Sequence, residues 1–216
     1  MEKDAKDILK ELMPLRVGED DTIRMLGSDA QESMNRASKM LASIASNDAS
    51  DKTIDLLECI SKNIEKTDKT ASRFFKTHGK EIMRNEEAIK LIEDFAVQLQ
   101  VQRVRLSKNL IVMRRIEQDL QQCLDDLENS IKIGEKLLSS KNDTGKGNNL
   151  GLDPSEDWFR RLEERIDELK TSKIVALQTL KQIQILQINS RELVRRVGET
   201  LTSTIPLWRN QATMGI

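Results

Sequence analysis

Between residues 97 and 116 the chain carries Arg103, Arg105, Lys108, Arg114 and Arg115 and no acidic residue, a net charge of +5. Residues 117 to 128 reverse it, with Glu117, Asp119, Asp125, Asp126 and Glu128 and no base, a net −5. Guanidinium groups gathered on one surface hold oxyanions and carboxylates through paired N–H donors, so the first stretch has the residue types of an anion site or an acidic-partner site. A second basic stretch lies at 181–197, where Lys181, Arg191, Arg195 and Arg196 stand against Glu192 alone, a net +3. The competing reading is structural compensation. Residues 1–21 hold seven acids against four bases and residues 48–68 hold six against three, so acidic segments near the N-terminus could dock on the basic stretches. Exposed ion pairs are individually weak, and charge runs are often simply solvated.

Other chemistry finds few residues to work with. The chain has two cysteines and one histidine. Cys59 and Cys123 lie on helical patterns far apart in sequence, without the CxxC or Cys/His spacing of a metal site. Each reads as an ordinary buried or half-buried helix residue, with a disulfide or redox pair as the alternative. His78 precedes Gly79 in FFKTHGKE, the arrangement of a helix C-terminus with glycine at C′. No nucleophile elbow, Gly-rich phosphate loop or zincin motif occurs. An enzyme is not expected, nor a metal or cofactor.

Long helices must position any basic site here. The 216 residues include only 9 Gly and 3 Pro and no Tyr, and 33% are charged, a composition suited to helices rather than to a turn-rich β protein. Leu99, Leu106, Met113, Leu120 and Leu127 recur every seven residues, with Leu110, Leu124, Ile131 and Leu138 at the complementary spacing and interruptions at Arg103 and Glu117. This a/d pattern predicts a helix over 85–139, about 80 Å long. The stretch SSKNDTGKGNNLGLDPSED follows, and it predicts a flexible loop over 140–156. A second long helix, 156–204, carries Leu162, Leu169, Ala176, Ile183 and Val197, with Leu180, Val194 and Leu201. Within it KQIQILQINS is unusually polar, and Gln187 falls at a core position, where it either finds buried partners or turns to solvent.

Shorter helices are expected ahead of these: 2–13, with Ile8, Leu9 and Leu12 and an end before Pro14; 22–46, capped by Asp20 or Asp21 after a loop at 17–21; one opened by Asp51, burying Ile54, Leu57, Cys59 or Ile60, and Ile64; and one from Lys69 to His78 with Phe74 and Phe75. The fold class is therefore all-α: an elongated antiparallel hairpin of two long helices, coiled-coil-like, covered by shorter N-terminal helices. The division is 1–84 for the short helices and 85–216 for the hairpin. Folding at the loop sets 99–115 beside 197–181, a basic end of about +8. An intermolecular coiled coil is the alternative use of the heptads.

The stretch LEERIDELKTSKIVALQTLKQIQILQINSRELVRRVGETLTSTIPLWRNQ resembles the signature of the TelA family of toxic anion (tellurite) resistance proteins. The matching residues are Leu177-Gln178, Gln182-Ile183, Ile185-Leu186-Gln187 and Thr204 to Gln211, the last including Pro206 and Trp208; TIRMLGSDAQESMNRASKML upstream is similar to the family's N-terminal segment. Lys181 stands where the family often has proline, which removes an expected kink, and Gln184 stands where arginine is common, which removes a cation. Family members continue past this motif with further helices, so the chain resembles a shortened form. Pro206 lacks an N–H and disfavours helical geometry at Ile205, so the helix should kink or end there, with Trp208 anchoring the redirected segment or contacting a ligand.

The resemblance implies a non-enzymatic bacterial stress protein, a helical scaffold acting in toxic anion resistance through protein contacts or anion binding. A generic coiled-coil adaptor or membrane-associated scaffold is the second reading. The expected partners are a protein or a second copy held through helices, an anion, or an acidic membrane surface, and not nucleic acid, since the net charge is −1. The N-terminus has no signal peptide and no stretch is apolar enough to span a bilayer, so a cytoplasmic location is expected.

Overall fold

The computed structural model describes residues 19–46, 49–71, 78–139 and 156–214. No strand occurs among them. The elements in order are α1 (Glu19–Met25), α2 (Ser28–Ala45), α3 (Ala49–Ala71), α4 (His78–Ser139), α5 (Glu156–Glu199), a π turn (Thr200–Thr204) and α6 (Ile205–Met214). The class is all-α, with two long helices and shorter ones ahead of them, as the heptads require. The helix expected at 2–13, the loop expected up to residue 155, and Phe74 and Phe75 lie outside the described residues.

The chain forms two compact units, Met1–Leu41 with Arg115–Ile183, and Ala42–Arg114 with Gln184–Ile216. In the first, α4 and α5 run antiparallel, since Glu128 pairs with Lys173 at 3.1 Å and Glu135 with Lys170 at 2.9 Å. Leu120, Leu127, Leu162, Leu169 and Ala176 are fully buried there, so the 3.5-residue repeat does form the seam. Ala30, Met34, Ala37 and Leu41 of α2 form the buried stripe of a third helix, whose Ala30 carbonyl accepts a hydrogen bond from Cys123 Sγ at 3.1 Å.

The structure divides the single helix expected over 22–46. Gly27 has φ +70°, and a Cβ at this position would stand 2.6 Å from Leu169 Cδ2. Glycine alone takes that backbone without strain, so α1 stops and α2 begins. Arg165, on α5, donates from Nε and Nη2 to the Leu26 carbonyl at 3.1 and 2.9 Å, which satisfies a freed acceptor at the break. Asp20 and Asp21 lie within α1 rather than capping it from outside.

In the second unit Ile60, Ile92, Leu99, Val197, Ile205 and Trp208 form a buried cluster, with Leu56, Leu57, Ile64, Phe95 and Leu201 packed around it. On α3 the buried stripe is Ala49, Thr53 and Ile60; Ile54 is 44% exposed and Cys59 is exposed, against expectation. Ile54 follows Thr53 by one residue, which turns it about 100° from the stripe. Thr53 is tolerated inside because its hydroxyl donates to the Ala49 carbonyl. His78 and Gly79 open α4 rather than closing a helix.

Pro206 does not stop the chain's helical course. In a regular turn its ring would crowd the carbonyl four residues back, and its missing N–H would break the ladder. The backbone widens instead into the π turn, where the Ile205 N–H donates to the Thr200 carbonyl, five residues earlier. Helix α6 then continues, placing Ile205 and Trp208 in the buried cluster and Arg209 on Glu93.

Candidate binding surface

Each long helix carries part of the basic set. Arg115 and Lys181 belong to the first unit; Arg103, Arg105, Arg114, Arg191, Arg195 and Arg196 belong to the second. All are exposed except the half-buried Arg103. The set divides by its partners. On α5, Glu192 takes Arg195 at 2.7 Å and Arg196 at 2.8 Å, and Arg195 also reaches Glu199. The two arginines hold the Glu192 carboxyl down to about 2, and the same pairs raise Arg195. Arg191 donates to Gln187 Oε1 at 2.6 Å. Arg191, Arg195 and Arg196 are thus occupied by groups three or four residues away on their own helix, and no described carboxylate of residues 21–66 joins them.

On α4 the position differs. Among the described residues Arg103, Arg105, Lys108, Arg114 and Arg115 form no ion pair, and no acid occurs between 97 and 116 to offer one locally. Exposed cations without partners keep their full capacity for an incoming oxyanion or carboxylate. Arg103 lies across from Gly198, where an added Cβ would stand 3.8 Å from Arg103 Nη2.

The residues of the TIPLWRNQ stretch and its upstream glutamines fall into two groups. Gln187 and Trp208 are buried, at 4% and 3% exposure, whereas Gln178, Gln182, Pro206 and Gln211 face solvent. Gln187 therefore takes the core position, and its Oε1 accepts from Arg191. Trp208 packs in the core cluster, and its indole Nε1 has no hydrogen-bond partner among the described residues.

A cleft of about 190 Å³ in the second unit is lined by Ile44, Ala45, Ser50, Asp51, Asn109, Met113, Leu186 and Ser190. Its only charged lining group is the Asp51 carboxylate, so its chemistry does not suit an anion. Among the described residues no cluster of three or more His, Cys, Asp and Glu gathers in metal-binding array. Cys123 is buried, and burial raises its thiol above the usual range. Arg165 is a polar residue that no sequence motif singles out. Its local signal is an ordinary i,i+3 pairing with Glu168, while its main role is played across helices.

The described residues make an all-α protein whose basic stretch on α4 forms no ion pair among them. The description of the TelA family, toxic anion resistance protein, matches residues 13–216, and the chain belongs to that family. TelA-like proteins of Staphylococcus aureus strains Mu50, N315 and USA300 are 25% identical to it over 241 aligned positions. The alignment covers 100% of this chain and 63% of each relative, so the chain spans less than two thirds of their length. Among solved structures, a computationally designed three-helix bundle aligns over 100% of this chain and 99% of its own at a TM-score of 0.37 and 16% identity. No helix among the described residues is long and apolar enough to cross a membrane.

Proposed function

We propose that this protein acts in toxic anion resistance as a non-enzymatic cytoplasmic scaffold, using the acid-free basic stretch of α4 to hold an oxyanion or an acidic partner. The observation that supports this is the contrast between the two long helices. On α5 Glu192 and Glu199 neutralise Arg195 and Arg196, while Arg105 and Arg114 of α4 are exposed and form no ion pair among the described residues. Long-range attraction to such a stretch is screened by salt. Titration with tellurite, phosphate and acidic lipid vesicles, at low and high salt, tests it. The expected result is salt-sensitive binding that weakens by about tenfold or more in an Arg105→Ala, Arg114→Ala double variant and survives in Arg195→Ala, Arg196→Ala. A folded wild-type protein that binds none of these probes defeats the reading. The non-enzymatic part has its own check. Replacing Cys59 and Cys123 by Ser leaves resistance intact under this proposal, and loss of resistance in a folded variant would restore thiol chemistry as the mechanism.

A further inference from the structure

Helix α4 carries a second seam besides the one that packs the core. Val97, Val101, Val104, Lys108 and Ile111 follow one another at spacings of four, three, four and three residues. At 3.6 residues per turn they occupy an arc of about 80° opposite Leu99 and Leu106. Their aliphatic members are exposed by 66, 47, 46 and 72% for Val97, Val101, Val104 and Ile111, whereas Leu99 and Leu106 are at 0 and 1%.

Single exposed aliphatics are ordinary, but four in an a/d repeat are a pattern. A narrow a/d stripe matches another helix, whereas a helix lying in a membrane interface presents a broad apolar face, commonly with aromatic residues. The stripe has no aromatic residue. Its surroundings restrict the occupant further. Lys108 on this arc and Arg105 beside it make no ion pair among the described residues, so an acidic helix is the complementary occupant.

The chain supplies such a helix itself. Residues 117–128 carry five acids and no base, and Asp119, Asp125 and Asp126 are exposed without an ion pair among the described residues. Asp119, Gln122, Asp126, Asn129 and Ile133 repeat at three, four, three and four. We propose that the Val97–Ile111 seam seats residues 119–133 of α4 from a second copy, the two helices running antiparallel. In that register Lys108 stands opposite Asp126 and Val101 opposite Ile133. An in-register parallel pair would set the +5 stretch against itself, and a staggered parallel pair would leave a stretch unmatched at each end. The antiparallel pair closes by a twofold axis, each copy giving one basic and one acidic stretch.

The test reads the oligomeric state by sedimentation, so it does not depend on whether any anion binds. Wild type should show a concentration-dependent dimer that weakens at high salt. Lys108→Asp and Asp126→Lys, both at exposed positions, should each weaken it by about tenfold or more, and the double variant Lys108→Asp, Asp126→Lys should restore it. Circular dichroism of each variant establishes that the fold is retained. A wild type that stays monomeric at all concentrations overturns the proposal. So does a dimer that the single variants leave unchanged, or one that the double variant fails to rescue. Vesicle binding by a monomer through this seam would overturn it in favour of a membrane contact.

Discussion

Glu192 shows how one residue can alter the reading of a charge pattern. It lies within a turn of Arg195 and Arg196 and accepts from both, at 2.7 to 2.9 Å. Its folded value of about 2 is below its ordinary 4.5, so the charged form is favoured in the folded state. A depressed carboxylate contributes stability above its unfolded value and loses it as pH falls through the folded value. The advantage of wild type over Glu192→Gln should therefore be present at neutral pH and disappear between about pH 4.5 and pH 2. Thermal melts of the two proteins across that range would check it, and a difference unchanged by pH would refute the pairing. The pairs themselves were legible in the sequence, because positions three and four apart on a helix are neighbours. Summing charge over whole stretches hid them. By net charge Arg195 and Arg196 fall in one class with Arg105 and Arg114, though among the described residues local carboxylates occupy only the first two.

At the scale of elements, three glycines give a contrast that can be measured. Gly27→Ala places a Cβ 2.6 Å from Leu169 Cδ2 on a backbone with φ +70°, so strain and overlap add. A loss of about 1–3 kcal/mol is expected by urea unfolding. Gly134→Ala keeps helical backbone but meets Ile166 Cγ1 at 2.7 Å, so its sign depends on whether Ile166 can move. At Gly198 the nearest atom is 3.8 Å away, and Gly198→Ala should stabilise by about 0.5–1 kcal/mol through helix propensity. A gain at Gly27 would mean that the break between α1 and α2 is not held by backbone geometry. The long helices were legible because Leu99, Leu106, Met113, Leu120 and Leu127 repeat a seam too regular for another element, and all five are buried. The breaks were not. A lone glycine within a helical pattern is usually tolerated, and only the approach of Leu169 shows why Gly27 ends a helix. Pro206 was legible as a disturbance, but a proline's local rules do not reveal that a widened turn can absorb it.

For the whole molecule, the division into two compact units matters most. Trp208 is 3% exposed and joins α6 to Ile60 of α3, Ile92 and Leu99 of α4 and Val197 of α5. These residues all belong to the second unit, while the buried side chains of α2 belong to the first up to Leu41. Truncating a buried tryptophan leaves a large cavity, so Trp208→Ala should cost about 3–5 kcal/mol in the structure that contains it. Trp208→Phe should cost less, since it keeps an aromatic ring and removes an indole N–H that has no partner among the described residues. Amide hydrogen exchange can locate the loss. In Trp208→Ala, exchange should accelerate in α3, in residues 86–114 of α4 and in α6, with residues 28–41 and 156–183 little changed. Such a pattern would mean that the two cores open as separate cooperative units, although α4 and α5 each contribute to both. Equal acceleration throughout would mean that the long helices bind the cores into one cooperative body, and the separation into units would then describe packing but not stability.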